Sequence, residues 1–399
     1  MAITLTVALI FWFWLIKKKF YLNSLDPLQL LCLSEAIIVV TIYNQLENAQ
    51  NANLTGILFY ILPLYSLYWI VTGFLIAPLY KRALMVTLTK VANFSTARRR
   101  VLIYSLFICA FIMFFFAIVT GLVADNRIYL LKYIRPLESL VKWLFPVGVF
   151  LFLTQRYTFF WKFILLIVPV LLIFISGKSF ALTLLVPISW YYFASNKPVK
   201  PLHSIAMLVA LSFTMFASLT LVYGTSAQKF INLLVNRILN DSDIYLLGYR
   251  TDVIENLVIA EPHLYFVAPL IKYVTLGQIS LSNVGSQIAS VIAGKEVLTG
   301  PNPQYFYLLS IYYDNTAAMI FTSMLLLTSI SLVKYLLLKV SFRVGPMSAL
   351  LIIIQTSSSI NDFFRDPGFP VIYLTQALLF IIIIKFIFDF EILRWQKSS

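Results

Sequence analysis

The feature that most constrains this chain is a series of apolar runs with no polar face, among them residues 164–175, 319–332 and 377–384. A helix that is hydrophobic all round must meet lipid or other helices on every side. Hydrophobic residues make up 61% of the 399 positions and charged residues 12%, against about 25% charged in a soluble domain, so water cannot be the solvent of these runs. The wet inner face of a β-barrel would impose short stretches of alternating polarity, and none is found. The sequence therefore predicts an all-α polytopic membrane protein.

Spans are expected near residues 2–16, 27–43, 54–79, 101–123, 141–155, 159–175, 180–195, 203–224, 316–338, 346–360 and 369–384. These give about eleven transmembrane helices, within a range of about ten to twelve. Residues 3–16 follow no basic region and precede no small-residue cleavage site, so they read as a retained first span rather than a signal peptide. The organisation expected is a bundle of about eight spans over 1–224, a long external loop over 225–315 with helical pieces, and about three further spans over 316–399. Residues 228–239 repeat apolar positions at helical spacing, 245–259 and 281–293 show further helical patterns, and Glu261-Pro262-His263 breaks the second of them.

The net charge of +14 does not gather on one face, which excludes a nucleic-acid partner. Its distribution fits membrane sidedness instead. Lys17–Lys19, Lys81, Arg82, Lys90, Arg98–Arg100, Arg156, Lys162, Lys197, Lys200, Lys334, Lys339, Arg343, Lys385, Arg394 and Lys397 fall on one side, the cytoplasmic one. The N-terminus and residues 225–315 are then external. Cys32 and Cys109 both sit in apolar runs and read as packing residues.

A second set of cations lies on the external side against that preference: Arg127, Lys132, Arg135, Lys142, Lys178, Lys229, Arg237, Arg250, Lys272, Lys295 and Arg365. Arginine forks suit a phosphate or pyrophosphate at the membrane surface, whereas pairing with nearby acids or snorkelling to lipid phosphates accounts for them more simply one by one. Arg250 stands beside Asp252 and ahead of Glu255 on a predicted helix. Glu261 and His263 offer acid or base chemistry. Glu35, inside the second span, is either a proton relay or a hydrogen-bonded packing residue. Ser176-Gly177-Lys178-Ser179 ends like a phosphate-binding loop, but Leu172 stands where the first glycine belongs, so nucleotide binding is rejected. Asp241-Ser242-Asp243 reads as a turn with helix caps rather than a metal pair.

The layout, with Ile175–Ser179, Gly248-Tyr249-Arg250-Thr251-Asp252, and Gly300-Pro301-Asn302-Pro303 ahead of a late span, resembles the O-antigen polymerase (Wzy) family. Two departures stand out. Tyr312-Tyr313-Asp314-Asn315 replaces an aromatic-glycine pair, and residues 300–306 lack the histidine of the related ligases. The resemblance implies a GT-C-type fold in the bacterial inner membrane, with the N-terminus periplasmic and the C-terminus cytoplasmic. It implies a metal-independent glycosyltransferase without cofactor, which moves a glycan from undecaprenyl pyrophosphate to another lipid-linked unit. A chain-length-determining membrane protein would be its partner. On that reading Arg250 stabilises the leaving pyrophosphate with Arg237, Lys178, Arg135 and Arg365 in support; Asp252, Glu261 or His263 is the base; and Tyr245, Tyr249 and Tyr305, with Tyr307 and Tyr312, stack on sugars, although anchoring at the membrane interface accounts for these aromatics more simply. The rival expectations are a lipid-linked oligosaccharide flippase or other transporter, an O-antigen ligase, and a membrane acyltransferase.

Overall fold

Burying a peptide group in hydrocarbon without a partner costs several kcal/mol, so an apolar chain of this kind satisfies its backbone locally, in helices. A computed structural model describes residues 75–119, 127–155, 185–196, 247–275, 284–297, 305–313, 315–365 and 369–385, together with a few isolated positions. Among the described residues every regular element is a helix: α1 (Ala77–Ala92), α2 (Thr96–Val119), α3 (Arg127–Thr154), α4 (Leu185–Ala194), α5 (Thr251–Asn256), α6 (Pro262–Val274), α7 (Val284–Ala293), α8 (Tyr305–Tyr312), α9 (Thr316–Ser341), α10 (Pro346–Arg365) and α11 (Phe369–Ile384). Two of them, α2 over Thr96–Phe116 and α9, are long and apolar enough to cross a membrane. The expected spans over 2–16, 27–43 and 203–224, and most of those over 54–79 and 159–175, lie outside the described residues.

Helix α2 shows how one sequence serves both packing and an apolar solvent. Leu102, Ile103, Leu106, Ala110 and Met113 are buried, at a spacing that places them along one side, while Tyr104, Ile108, Phe111, Ile112 and Phe115 point outward. Its buried side packs on α3, the most extensive helix pair described. Helix α3 has 28 residues and corrects the short span expected over 141–155, which begins in its second half. The correction has a physical reason. Pro136 stands ahead of the expected span and Pro146 within it, but each removes a single backbone donor, and a packed helix tolerates that loss. Glu138, which lay between expected spans, and Lys142, at the start of the span expected over 141–155, stand one turn apart on this helix at 2.8 Å.

A second correction concerns α1. Residues after 79 were expected to leave the membrane as a basic loop, yet 77–92 form an amphipathic helix that starts at a proline and buries Tyr80, Ala83, Leu84, Thr87, Leu88 and Val91. It packs against α10, α9, α4 and α3. Cations stay on its margin: Arg82 lies 5.9 Å over the Phe342 ring, and beyond the helix end the Arg99 Nε donates to the Phe94 carbonyl at 3.0 Å. The Gln155 side-chain amide, just past α3, donates to the Ala92 carbonyl, tying two helix ends together.

Helix α10 is the centre of the described bundle, contacting α1, α8, α9 and α11. Residues Ala349 to Ile353 are consecutive and all buried, which only a helix surrounded on every side permits. Serines and threonines within the apolar helices return their hydroxyls to the preceding turn: Ser323 donates to the Met319 carbonyl at 2.8 Å and Thr356 to that of Ile352 at 2.7 Å. Lys334, expected at a cytoplasmic margin, is instead 2% exposed within α9.

Trp143 of α3 meets Phe380 of α11 edge to face, with centroids 4.3 Å apart. We expect Trp143→Ala to lower stability by about 3–5 kcal/mol, and Phe111→Ala, on the outward face of α2, to cost much less. Thermal unfolding of the two variants in the same detergent checks the order.

Candidate functional site

The candidate site is the layer built from residues 247–313. Its chemistry depends on two tyrosines that hold the layer to α8. The Tyr307 hydroxyl donates to the Gly248 carbonyl at 2.8 Å, the Tyr249 hydroxyl shares a hydrogen bond with Ser310, and the rings meet edge to face with centroids 5.2 Å apart. Burial pushes both phenols well above the ordinary tyrosine range, with the Ser310 bond opposing the shift at Tyr249 and the neighbouring Tyr249 adding to it at Tyr307. This geometry gives both residues bracing roles. Their rings face each other, and that of Tyr307 is fully buried.

The turn fixed by these tyrosines delivers Arg250 to the start of α5. Its backbone is extended, and its carbonyl accepts from the Val253 and Ile254 amides at 3.0 Å each, so Arg250 caps the helix by its main chain and frees its side chain. The guanidinium grips Asp252 through two bonds, Nε to Oδ1 at 3.0 Å and Nη2 to Oδ2 at 2.8 Å. Both side chains are about half exposed, at 49% and 51%. Hydrogen bonding to its partner raises the already high pKa of Arg250 and lowers that of Asp252. The fork is thereby oriented with its Nη1 donors uncommitted to Asp252.

Helix α5 is shorter than the helical pattern over 245–259 suggests. Asn256 donates to the Asp252 carbonyl at 2.7 Å and closes the last turn, and Leu257 is extended. Two side chains hold this extended piece. Gln287 of α7 accepts from the Val258 amide at 3.0 Å and donates to the Val258 carbonyl at 3.2 Å, as a neighbouring strand would. The Ala260 amide donates to the Tyr265 hydroxyl at 3.1 Å. Gln287 and Tyr265 escape sequence reasoning because their partners are backbone atoms 29 and 5 residues away, and no spacing rule announces the former.

Pro262 then starts α6, so the expected helix break is also a helix start. Glu261 Oε2 and His263 Nε2 lie 3.1 Å apart at this corner, with side chains 55% and 62% exposed. Tyr312 of α8 stands near them. Its phenol is pushed upward by partial burial first, then by the Glu261 carboxylate and by Tyr313. The corner thus offers an acid, an imidazole and an accessible aromatic ring.

Of the site residues expected from sequence, Arg250, Asp252, Glu261, His263, Tyr249, Tyr307 and Tyr312 belong to this layer. Arg237, Lys178 and Tyr245 lie outside the described residues. Arg135 and Arg365 are placed on α3 and α10, and Tyr305 begins α8, but their side chains lie outside the described set. No protein family, curated protein or solved structure matches the chain.

Because Tyr249 and Tyr307 have raised folded pKa values, their contribution to stability is complete below the unfolded value near 10 and is lost as pH rises toward the folded values. Above about pH 10 the protein should therefore lose stability with each increment of pH, and Tyr249→Phe should lose less over the same interval. Chemical unfolding of both proteins across the alkaline range measures the difference.

Proposed function

We propose that the chain is a polysaccharide repeat-unit polymerase of the O-antigen type, a glycosyltransferase that takes its glycan from a lipid pyrophosphate donor at the outer face of a bacterial inner membrane. The observation that carries this reading is the Arg250–Asp252 fork, a solvent-accessible guanidinium held in a fixed orientation on a braced turn. Cleaving the anomeric bond leaves negative charge on pyrophosphate, and a preorganised fork stabilises that charge without reorganising. Glu261 and His263 supply the group that takes the acceptor hydroxyl proton, and Tyr312 supplies a ring for a sugar face. Arg237, Lys178, Arg135 and Arg365 are the proposed supporting cations. The lipid-linked oligosaccharide, the bilayer and a chain-length-determining membrane protein are the proposed partners, with about eleven spans, an external N-terminus and an internal C-terminus.

Lys334 favours a second reading. A lysine buried within an apolar helix marks a polar path through a membrane protein by default, and a flippase for the same lipid carrier would use one. Deletion of the gene separates the two on a polysaccharide gel. Loss of the polymerase leaves a single repeat unit attached, whereas loss of the flippase leaves carrier-linked units inside the cell.

For the site, Arg250→Lys keeps the charge but removes the fork, and we expect polymer synthesis to fall about a hundredfold while the protein stays in the membrane. Unchanged chain length in Arg250→Lys removes Arg250 from the reaction. Unchanged polymer in the deletion strain removes the polymerase reading.

A further inference from the structure

Helix α6 divides its surface in an unusual way for an element of an external loop. Leu264, Tyr265, Ala268 and Ile271 turn inward, and the helix packs on α11 and α8. The outward side carries His263, Val267, Leu270 and Val274, which fall within about 60° of arc at 3.6 residues per turn. Val267 is 39% exposed, Leu270 43% and Val274 76%. A helix lying over a membrane protein in water would turn polar residues outward here. This strip instead has one polar end, where His263 meets Glu261, and an apolar remainder.

Two further observations identify what covers it. Helix α11, on which α6 packs, itself exposes Leu378, Leu379, Ile382 and Ile383, the outward apolar side of a helix read as spanning the bilayer. The strip from His263 to Val274 is also about 16 Å long at 1.5 Å per residue, close to the depth of one leaflet of a ~30 Å hydrocarbon core.

We propose that the outward strip of α6 lies in the outer leaflet against lipid hydrocarbon, with the Glu261–His263 corner at the head-group layer. The arrangement deepens the proposed function, on which it rests only for the identity of the lipid substrate. A lipid-linked pyrophosphate whose chain lies along Val274, Leu270 and Val267 in the leaflet presents its head group to the acid–imidazole pair.

Site-directed spin labelling tests the placement independently of activity. Cysteine is introduced singly at His263, Val267, Leu270 and Val274 in a Cys32→Ala, Cys109→Ala background, and the full-length protein is reconstituted in phosphatidylethanolamine–phosphatidylglycerol nanodiscs. Cysteine is smaller than each residue it replaces, so the packing of α6 on α11 is kept. Labels at Val267, Leu270 and Val274 should relax with oxygen, which partitions into hydrocarbon, several-fold more than with a water-soluble nickel chelate, and the label at His263 should show the reverse. A nickel-dominated response at any of the three apolar sites, shielding of them from both reagents, or an oxygen-dominated response at His263 overturns the proposal. The expected pattern alongside a deletion strain with unchanged polymer would keep the lipid strip and discard the glycosyl transfer.

Discussion

Everything described in this protein follows from the cost of an unpaired peptide group in an apolar medium. Helices answer that cost within a single segment, which leaves side chains to decide only which helix faces which. Helix α10 shows the result most clearly, since its consecutive buried residues find α1, α8, α9 and α11 around them. In lipid there is little hydrophobic gain from bringing two apolar helices together, so shape fit and ring contacts such as Trp143 on Phe380 assume the role that water plays elsewhere. Hydroxyls on α9 and α10 obey the same rule by bonding back one turn.

The helices long enough to show one uninterrupted pattern were readable from residue order. Helices α9, α10 and α11 begin where the composition turns apolar, at Thr316, Pro346 and Phe369, and α2 begins five residues before its apolar run. What the order concealed was helix continuing through a marker of its end. Pro136 hid the first half of α3, and the charges at Lys81 and Arg82 hid α1, whose stripe of buried residues is amphipathic rather than apolar all round. The burial of Lys334 was hidden by its own charge, which by itself reads as an exposed position.

The layer carrying Arg250, Glu261 and His263 was legible in a different measure. Charge adjacency announced the Arg250–Asp252 pair, and proximity in the chain announced Glu261 with His263. The bracing of that layer was not announced at all, because Tyr249, Tyr307 and Gln287 reach partners that lie 61, 59 and 29 residues away. Aromatic residues that resemble sugar platforms in a sequence turn out to be occupied by one another, while Tyr312 keeps an accessible ring beside the charged corner.

The hold of Gln287 on Val258 carries a consequence for how the layer behaves as a whole. In a sheet, each rung between two strands can break while the others persist, so order fades gradually. Here one amide supplies both rungs, and rotation about a single side chain releases the Val258 amide and carbonyl together. The stretch joining the guanidinium fork to the acid–imidazole corner is therefore tied to α7 at one point, Val258, and to α6 at another, where the Ala260 amide meets Tyr265.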